Sequence, residues 1–153
     1  MRRRRPPSVW VAICALAVVV AVQAWLAVRF GRAAEVGLLT YAFAVILWTL
    51  LLVGLFRRAR LAWLWGRWLT LLLAVVMASA LAVAAVRGEA RPVVVGLAFA
   101  GLVLPLVAAS VALGRPSAYE WFELVCPSCA ARSGSGADLL FRQARCRKCD
   151  AVW

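Results

Sequence analysis

Residues 9–28 read VWVAICALAVVVAVQAWLAV, twenty residues without a charge. At about 1.5 Å rise per residue, a helix of this length spans about 30 Å, the thickness of a bilayer's hydrocarbon core. Arg2, Arg3, Arg4 and Arg5 precede it, and Pro6 and Pro7 keep a helix from starting earlier. The competing reading is a secretory signal peptide, with the arginines as its basic leader and Val22-Gln23-Ala24 as a cleavage site. The run is long for the apolar part of a signal peptide, and further apolar runs follow, which favours an uncleaved span.

Outward from this run the pattern repeats. Uncharged stretches at 36–56, 68–86 and 92–113 are separated by connections rich in arginine. Together with 9–28 they predict an all-α membrane protein of four antiparallel transmembrane helices over residues 9–113, after a basic N-terminal segment 1–8. The chain is 66% hydrophobic with a mean hydropathy of +0.92. An apolar share this high, delivered in long runs, marks the membrane class rather than a soluble core.

The arginines set an orientation. With the N-terminus in the cytosol, fourteen basic residues lie inside: Arg2–Arg5, the connection with Arg57, Arg58, Arg60 and Arg67, and the C-terminal tail. Arg29, Arg32, Arg87 and Arg91 lie outside, and this asymmetry follows the positive-inside rule. The location predicted is a cell membrane, inner or plasma, with both termini cytosolic. Of the 18 basic residues only Lys148 is lysine, which suits a high-GC bacterial genome. Trp63, Trp65 and Trp68 interleave with the arginines of the second connection and read as an interfacial belt against anionic headgroups on the cytosolic face.

The spans carry little chemistry. Thr40 and Thr49 can bond to carbonyls one turn back. Gln23 is the only strongly polar span residue, all six carboxylates fall in connections or tail, and histidine is absent. Ion paths and membrane catalysis ordinarily need intramembrane ionisable groups, so the chain reads as a non-enzyme. Ala74, Ala78 and Ala82 repeat at four-residue spacing and can face Gly96 and Ala100 across the short turn between spans three and four. Pro105 is expected to kink the last span. Cys14, alone in the first, reads as a small packing residue.

After Gly114-Arg115-Pro116 comes a joint, residues 114–123. Ser117 and Glu120 fit a capping box, opening a short amphipathic helix from Ala118 to about Glu123 that carries Tyr119, Trp121 and Phe122. This collar is expected at the membrane surface or against the tail. The tail, 124–153, holds Cys126-Pro127-Ser128-Cys129 and, sixteen residues later, Cys146-Arg147-Lys148-Cys149. Two Cys-x2-Cys pairs at this separation predict one tetrahedral Zn²⁺ held by four thiolates. Reduced, deprotonated sulfur belongs in a reducing compartment, which places the tail on the side the arginines select. Iron takes the same four ligands and is the alternative metal. A redox Cys-x-x-Cys lacks its βαβ surroundings here, and haem attachment lacks its histidine.

Leu124-Val125 reads as extended, Ser133–Gly136 as a turn, Leu139–Phe141 as a strand and Ala151–Trp153 as a last strand. In this order the tail resembles the zinc-ribbon family, over about its last 30 residues, on its four cysteines. The resemblance implies a small β ribbon around a closed structural site. Ribbons often place glycine after each cysteine pair, where the backbone turns; Ala130 and Asp150 stand there instead, which predicts a less regular first knuckle.

The function expected is interaction or regulation: a multi-pass membrane protein presenting a structural zinc ribbon to a protein partner, as a homo-oligomer or as a subunit of a complex. A thiol or zinc redox sensor at the membrane is the alternative. A small transporter subunit ranks lower for want of polar span residues. Nucleic-acid binding through Arg142, Arg145, Arg147 and Lys148 also ranks lower, because cations there compensate the net negative charge of four thiolates on Zn²⁺.

Overall fold

The computed structural model describes residues 5–30, 35–88, 91–132, 145–146 and 148–152. Five helices follow one another among them: α1 (Pro7–Phe30), α2 (Glu35–Phe56), α3 (Arg60–Val86), α4 (Pro92–Leu113) and the short α5 (Pro116–Trp121). Each of α1, α3 and α4 is long and apolar enough to cross a membrane, while the part of α2 whose side chains are described, Ala42–Phe56, is a shorter apolar helix. The chain thus has the make-up of a membrane protein.

The helices close into a ring: α1 packs on α2 and α4, and α3 packs on the same two. Each contributes a narrow stripe to the centre. Val9, Ala12, Leu16 and Val19 come from α1; Trp48, Leu51 and Leu55 from α2; Trp63, Thr70 and Ala74 from α3; Val103, Leu106, Ala109 and Leu113 from α4. The three- and four-residue steps are those of one helix face. Outside this seam, Phe43, Leu50, Leu72, Val75 and Leu97 are exposed. An apolar surface of this extent exceeds what soluble monomers tolerate and suits hydrocarbon contact. Three hydroxyls along the helices are satisfied locally: Thr49 donates to the Val45 carbonyl at 2.7 Å, Thr70 to Gly66 at 2.5 Å and Ser79 to Val76 at 2.9 Å.

Several expectations are corrected here. Helix α3 starts at Arg60, so the tryptophans expected in a connection are helical, and only Arg57–Ala59 joins α2 to α3. Arg58 makes this possible by taking φ 58°, with the Ala59 amide on the Gly54 carbonyl and the Arg58 amide on Leu55. This is a Schellman ending with arginine at the left-handed position where glycine is usual. Trp65 and Trp68, each 57% exposed, keep an outward place, but Trp63 turns inward and is buried.

The alanine stripe is only partly used. Ala74 is buried, whereas Ala82 is exposed, and a Cβ on Gly96 would meet nothing within 4 Å. The close approach lies elsewhere: a Cβ on Gly54 would stand 2.5 Å from the Ala62 Cβ, and one on Gly66 would stand 3.2 Å from Leu113 Cδ1. Near Pro105, α4 carries a π turn at Phe99–Val103, with the Leu104 amide on the Phe99 carbonyl. The wider turn accommodates the backbone donor that proline lacks.

Helix α5 begins with Pro116 in its first turn and has no side-chain cap, so the capping box is not formed. Ser117 is engaged elsewhere: its Oγ shares a hydrogen bond with Ser8 Oγ at 2.8 Å, joining α5 to the start of α1. The collar packs into the helical core rather than on the tail alone. Ala118, Tyr119, Trp121, Phe122 and Leu124 are buried and belong to the same core as Trp63 and Leu113. No regular strand forms among the described residues. The tail shows two isolated antiparallel bridges, Val125 with Arg132 and Arg145 with Val152. The expected turn at 133–136 and strand at 139–141 lie outside the described residues.

Candidate metal centre

Each cysteine pair sits in a turn of the same design. In the first, the Ala130 amide bonds to the Cys126 carbonyl at 3.0 Å and the Cys126 amide to the Ala131 carbonyl at 2.9 Å. In the second, Asp150 to Cys146 and Cys146 to Ala151 repeat this at 2.9 and 2.8 Å. A bridge closes each turn outside these bonds. Ala130 and Asp150 adopt φ 54° and 56°, both left-handed. The first knuckle is therefore as regular as the second, against expectation. The alanine accepts a conformation that costs roughly 1 kcal/mol relative to glycine, held by hydrogen bonds on either side of it.

The two turns bring four thiols together. All four Sγ atoms, of Cys126, Cys129, Cys146 and Cys149, lie within 4.8 Å of one another. Sulfurs of opposite pairs approach at 3.6 Å (Cys126–Cys149) and 3.4 Å (Cys129–Cys146). A tetrahedron with metal–sulfur bonds of about 2.3 Å has edges of about 3.8 Å, so the cluster has the dimensions of a four-thiolate site. A disulfide would need about 2.05 Å, and all four cysteines are free. The donor set fits Zn²⁺, and iron takes the same four sulfurs.

Backbone amides reinforce the fit. The Cys146 thiol is lowered to about 6, first by the Lys148 amide, whose nitrogen is 3.4 Å from the sulfur, and then by the Cys149 amide against burial. Cys126 is also lowered: burial opposes it, but the amides of Cys129 and Ser128 outweigh that. Cys149 is pushed up to about 12. The Ala151 amide lowers it, but the Cys129 thiol, burial and the other two cysteines together prevail. Cys129 rises for similar reasons, with the Ala131 amide opposing. The leading cysteine of each pair is thus shifted towards the thiolate and the trailing one towards the thiol, so metal binding by all four would release protons.

Around the sulfurs the basic residues have specific engagements. Arg145 pairs with Asp150 at 3.2 Å in an exposed position, and Arg132 lies 4.9 Å from the Tyr119 ring centroid. Arg142 and Arg147 lie outside the described residues.

The joint ties this centre to the bundle. Arg67 donates to the Tyr119 hydroxyl. Trp63 Nε1 donates to the Leu113 carbonyl at 2.9 Å in a buried contact, and Ser110 Oγ reaches the Arg67 carbonyl at 3.2 Å. Arg58 caps the buried Trp121 ring at 3.6 Å. Glu123, at φ 55°, reverses the chain after α5, with the Leu124 amide on the Tyr119 carbonyl at 2.9 Å. The next residues therefore run straight into the first knuckle. Trp63, Arg67 and Ser110 have no sequence signal as joint residues; only the burial periodicity of α3 from Trp63 through Gly66 and Thr70 hints at it.

No protein-family model, curated protein or solved structure matches this chain. The functional reading therefore rests on these residues and their chemistry.

Proposed function

We propose that this chain is a four-span membrane protein, with α2 as the fourth span, that presents a structural zinc ribbon to the cytosol as a docking or regulatory module and performs no catalysis. Residues 9–113 form the membrane domain, 114–123 the joint and 124–153 the ribbon. The observation that carries the reading is the clustering of four thiols at metal-binding distance, next to a joint whose residues are buried in the bundle core. A site with four protein ligands is closed, leaves no position for a substrate, and so shapes a surface. The start of α1, the α2–α3 turn and the tail gather at one end of the bundle, and the arginine distribution assigns that end to the cytosol. Anionic headgroups are its lipid neighbours there, and a protein is its partner.

The test is metal analysis of the detergent-purified chain beside the Cys126→Ser/Cys149→Ser variant, before and after mild peroxide. One zinc per chain, absent from the variant and retained through peroxide, supports a structural ribbon. The sensor reading is favoured by the partial exposure of Cys129 and the greater exposure of Cys149; it expects zinc to leave on peroxide treatment. Iron in place of zinc would redirect the reading to electron transfer.

A further inference from the structure

A groove runs along the seam between α1 and α4. Its mouth is a cavity of about 520 Å³ lined by Ser8, Val11, Ala108, Arg115 and Ser117 among others. Directly below lies a second cavity of about 520 Å³, walled by Val11, Cys14, Ala100, Leu104 and Ala108 among others. Val11 and Ala108 line both, so the two adjoin as successive parts of one open groove. Small side chains at Ala108 and Ala100 leave the space. The groove reaches the π turn at Phe99–Val103, where the backbone of α4 changes its winding.

The polarity of the groove changes along its length. At the top, Arg115 is exposed and makes no ion pair among the described residues, and the hydroxyls of Ser8 and Ser117 share a hydrogen bond beside it. Below Val11 the wall is apolar. From Arg115 to Ala100 is fifteen residues of largely helical rise, about 22 Å. That is half of a bilayer's full thickness of about 40–45 Å, the depth of one leaflet with its headgroups.

The geometry points to a binding site for one anionic glycerophospholipid, its phosphate on Arg115 and the two serines and one acyl chain in the groove against Val11 and Ala108. A groove open to hydrocarbon along its flank admits an acyl chain without desolvating anything polar, and the cation at its mouth selects for negative headgroups. The inference rests on the membrane-spanning reading above, and goes beyond it by naming a specific site in place of general surface attraction.

The test is native mass spectrometry of the full-length, zinc-loaded protein, titrated with phosphatidylglycerol or with phosphatidylcholine of the same acyl chains. Wild type should retain one phosphatidylglycerol per chain, about tenfold tighter than phosphatidylcholine. Arg115→Gln should lose that preference, and Ala108→Leu, which fills the groove, should lose the bound lipid of either kind. Both positions are exposed, so unchanged zinc content and melting temperature certify the fold. Equal retention of the two lipids by wild type, wild-type behaviour of either variant, or displacement of the lipid by inorganic phosphate would overturn the assignment. Resistance of all three proteins to carbonate extraction from membranes checks the spanning reading separately.

Discussion

The two ends of the bundle are built on different terms. At the end that carries the cysteine module, Trp63, Leu113, Tyr119, Trp121 and Phe122 are buried together, and hydrogen bonds cross from Trp63 to Leu113 and from Ser110 to Arg67. At the far end Val86 is 89% exposed and Val93 72%, and Gly96 has open space around it. Both ends carry apolar helix residues, so apolarity alone is not what buries them. In hydrocarbon an exposed valine costs nothing, and association depends on close packing and on polar contacts between helices. The module end shows both among the described residues. The cysteine cluster therefore adjoins the end of the bundle where, among the described residues, the aromatic core is buried.

The largest expected effect lies in the module itself. Cys126→Ser with Cys149→Ser should abolish metal binding, and with it a folding free energy that for structural zinc is of the order of 10–16 kcal/mol. Limited proteolysis should then cut within 124–153 while the helical circular dichroism of the bundle stays. If the tail resists protease without metal, the knuckles fold on their own hydrogen bonds.

Paired glycine substitutions sharpen the contrast between the ends. Gly54→Ala drives a methyl group to 2.5 Å from the Ala62 Cβ and should cost about 1–3 kcal/mol, read as a lower melting temperature in detergent. Gly96→Ala meets open space and should be neutral or stabilise by up to about 1 kcal/mol through helix propensity. Equal effects at the two sites would remove the distinction.

Trp63→Phe keeps the ring in place but strands the buried Leu113 carbonyl, with an expected loss of about 1–3 kcal/mol. The loss should appear both as a lower melting temperature and as faster proteolysis near residue 114.

Metal affinity should also follow pH. The depressed Cys146 thiol, at about 6 in the folded form against 9.0 ordinarily, favours the folded metal-free knuckle above pH 9, and this contribution is lost as pH falls through about 6. Cys149, raised to about 12, holds its proton at neutrality. Zinc binding at pH 7 should therefore release protons, and affinity should rise from pH 6 to pH 9 in a competitive chelator titration. The smallest effect belongs to Arg145→Ala. Its ion pair with Asp150 is exposed on both sides, 72% and 77%, and should contribute less than about 1 kcal/mol.

The apolar helices and the cysteine cluster were legible in the sequence because each depends on spacing along the chain. An uncharged run of bilayer length says what it is without reference to its neighbours, and so do two Cys-x2-Cys pairs. The joint was not legible. Ser117 looks like a helix cap but bonds to Ser8, 109 residues away. Trp63 looks like part of an interfacial belt but is buried, because α3 begins at Arg60 and its winding turns Trp63 inward with Gly66 and Thr70. Arg58, Glu123 and Ala130 take left-handed conformations that their residue types do not advertise, whereas aspartate at Asp150 tolerates one. At each of the positions other than Asp150, long-range packing or a paired hydrogen-bond turn overrides the local preference.

Zinc K-edge X-ray absorption on the purified full-length protein tests the central claim most directly. Four sulfur neighbours at about 2.3 Å with no nitrogen or oxygen in the inner shell are expected. A shell containing light atoms, or fewer than four sulfurs, would contradict a closed four-cysteine centre and reopen the question of chemistry at the metal.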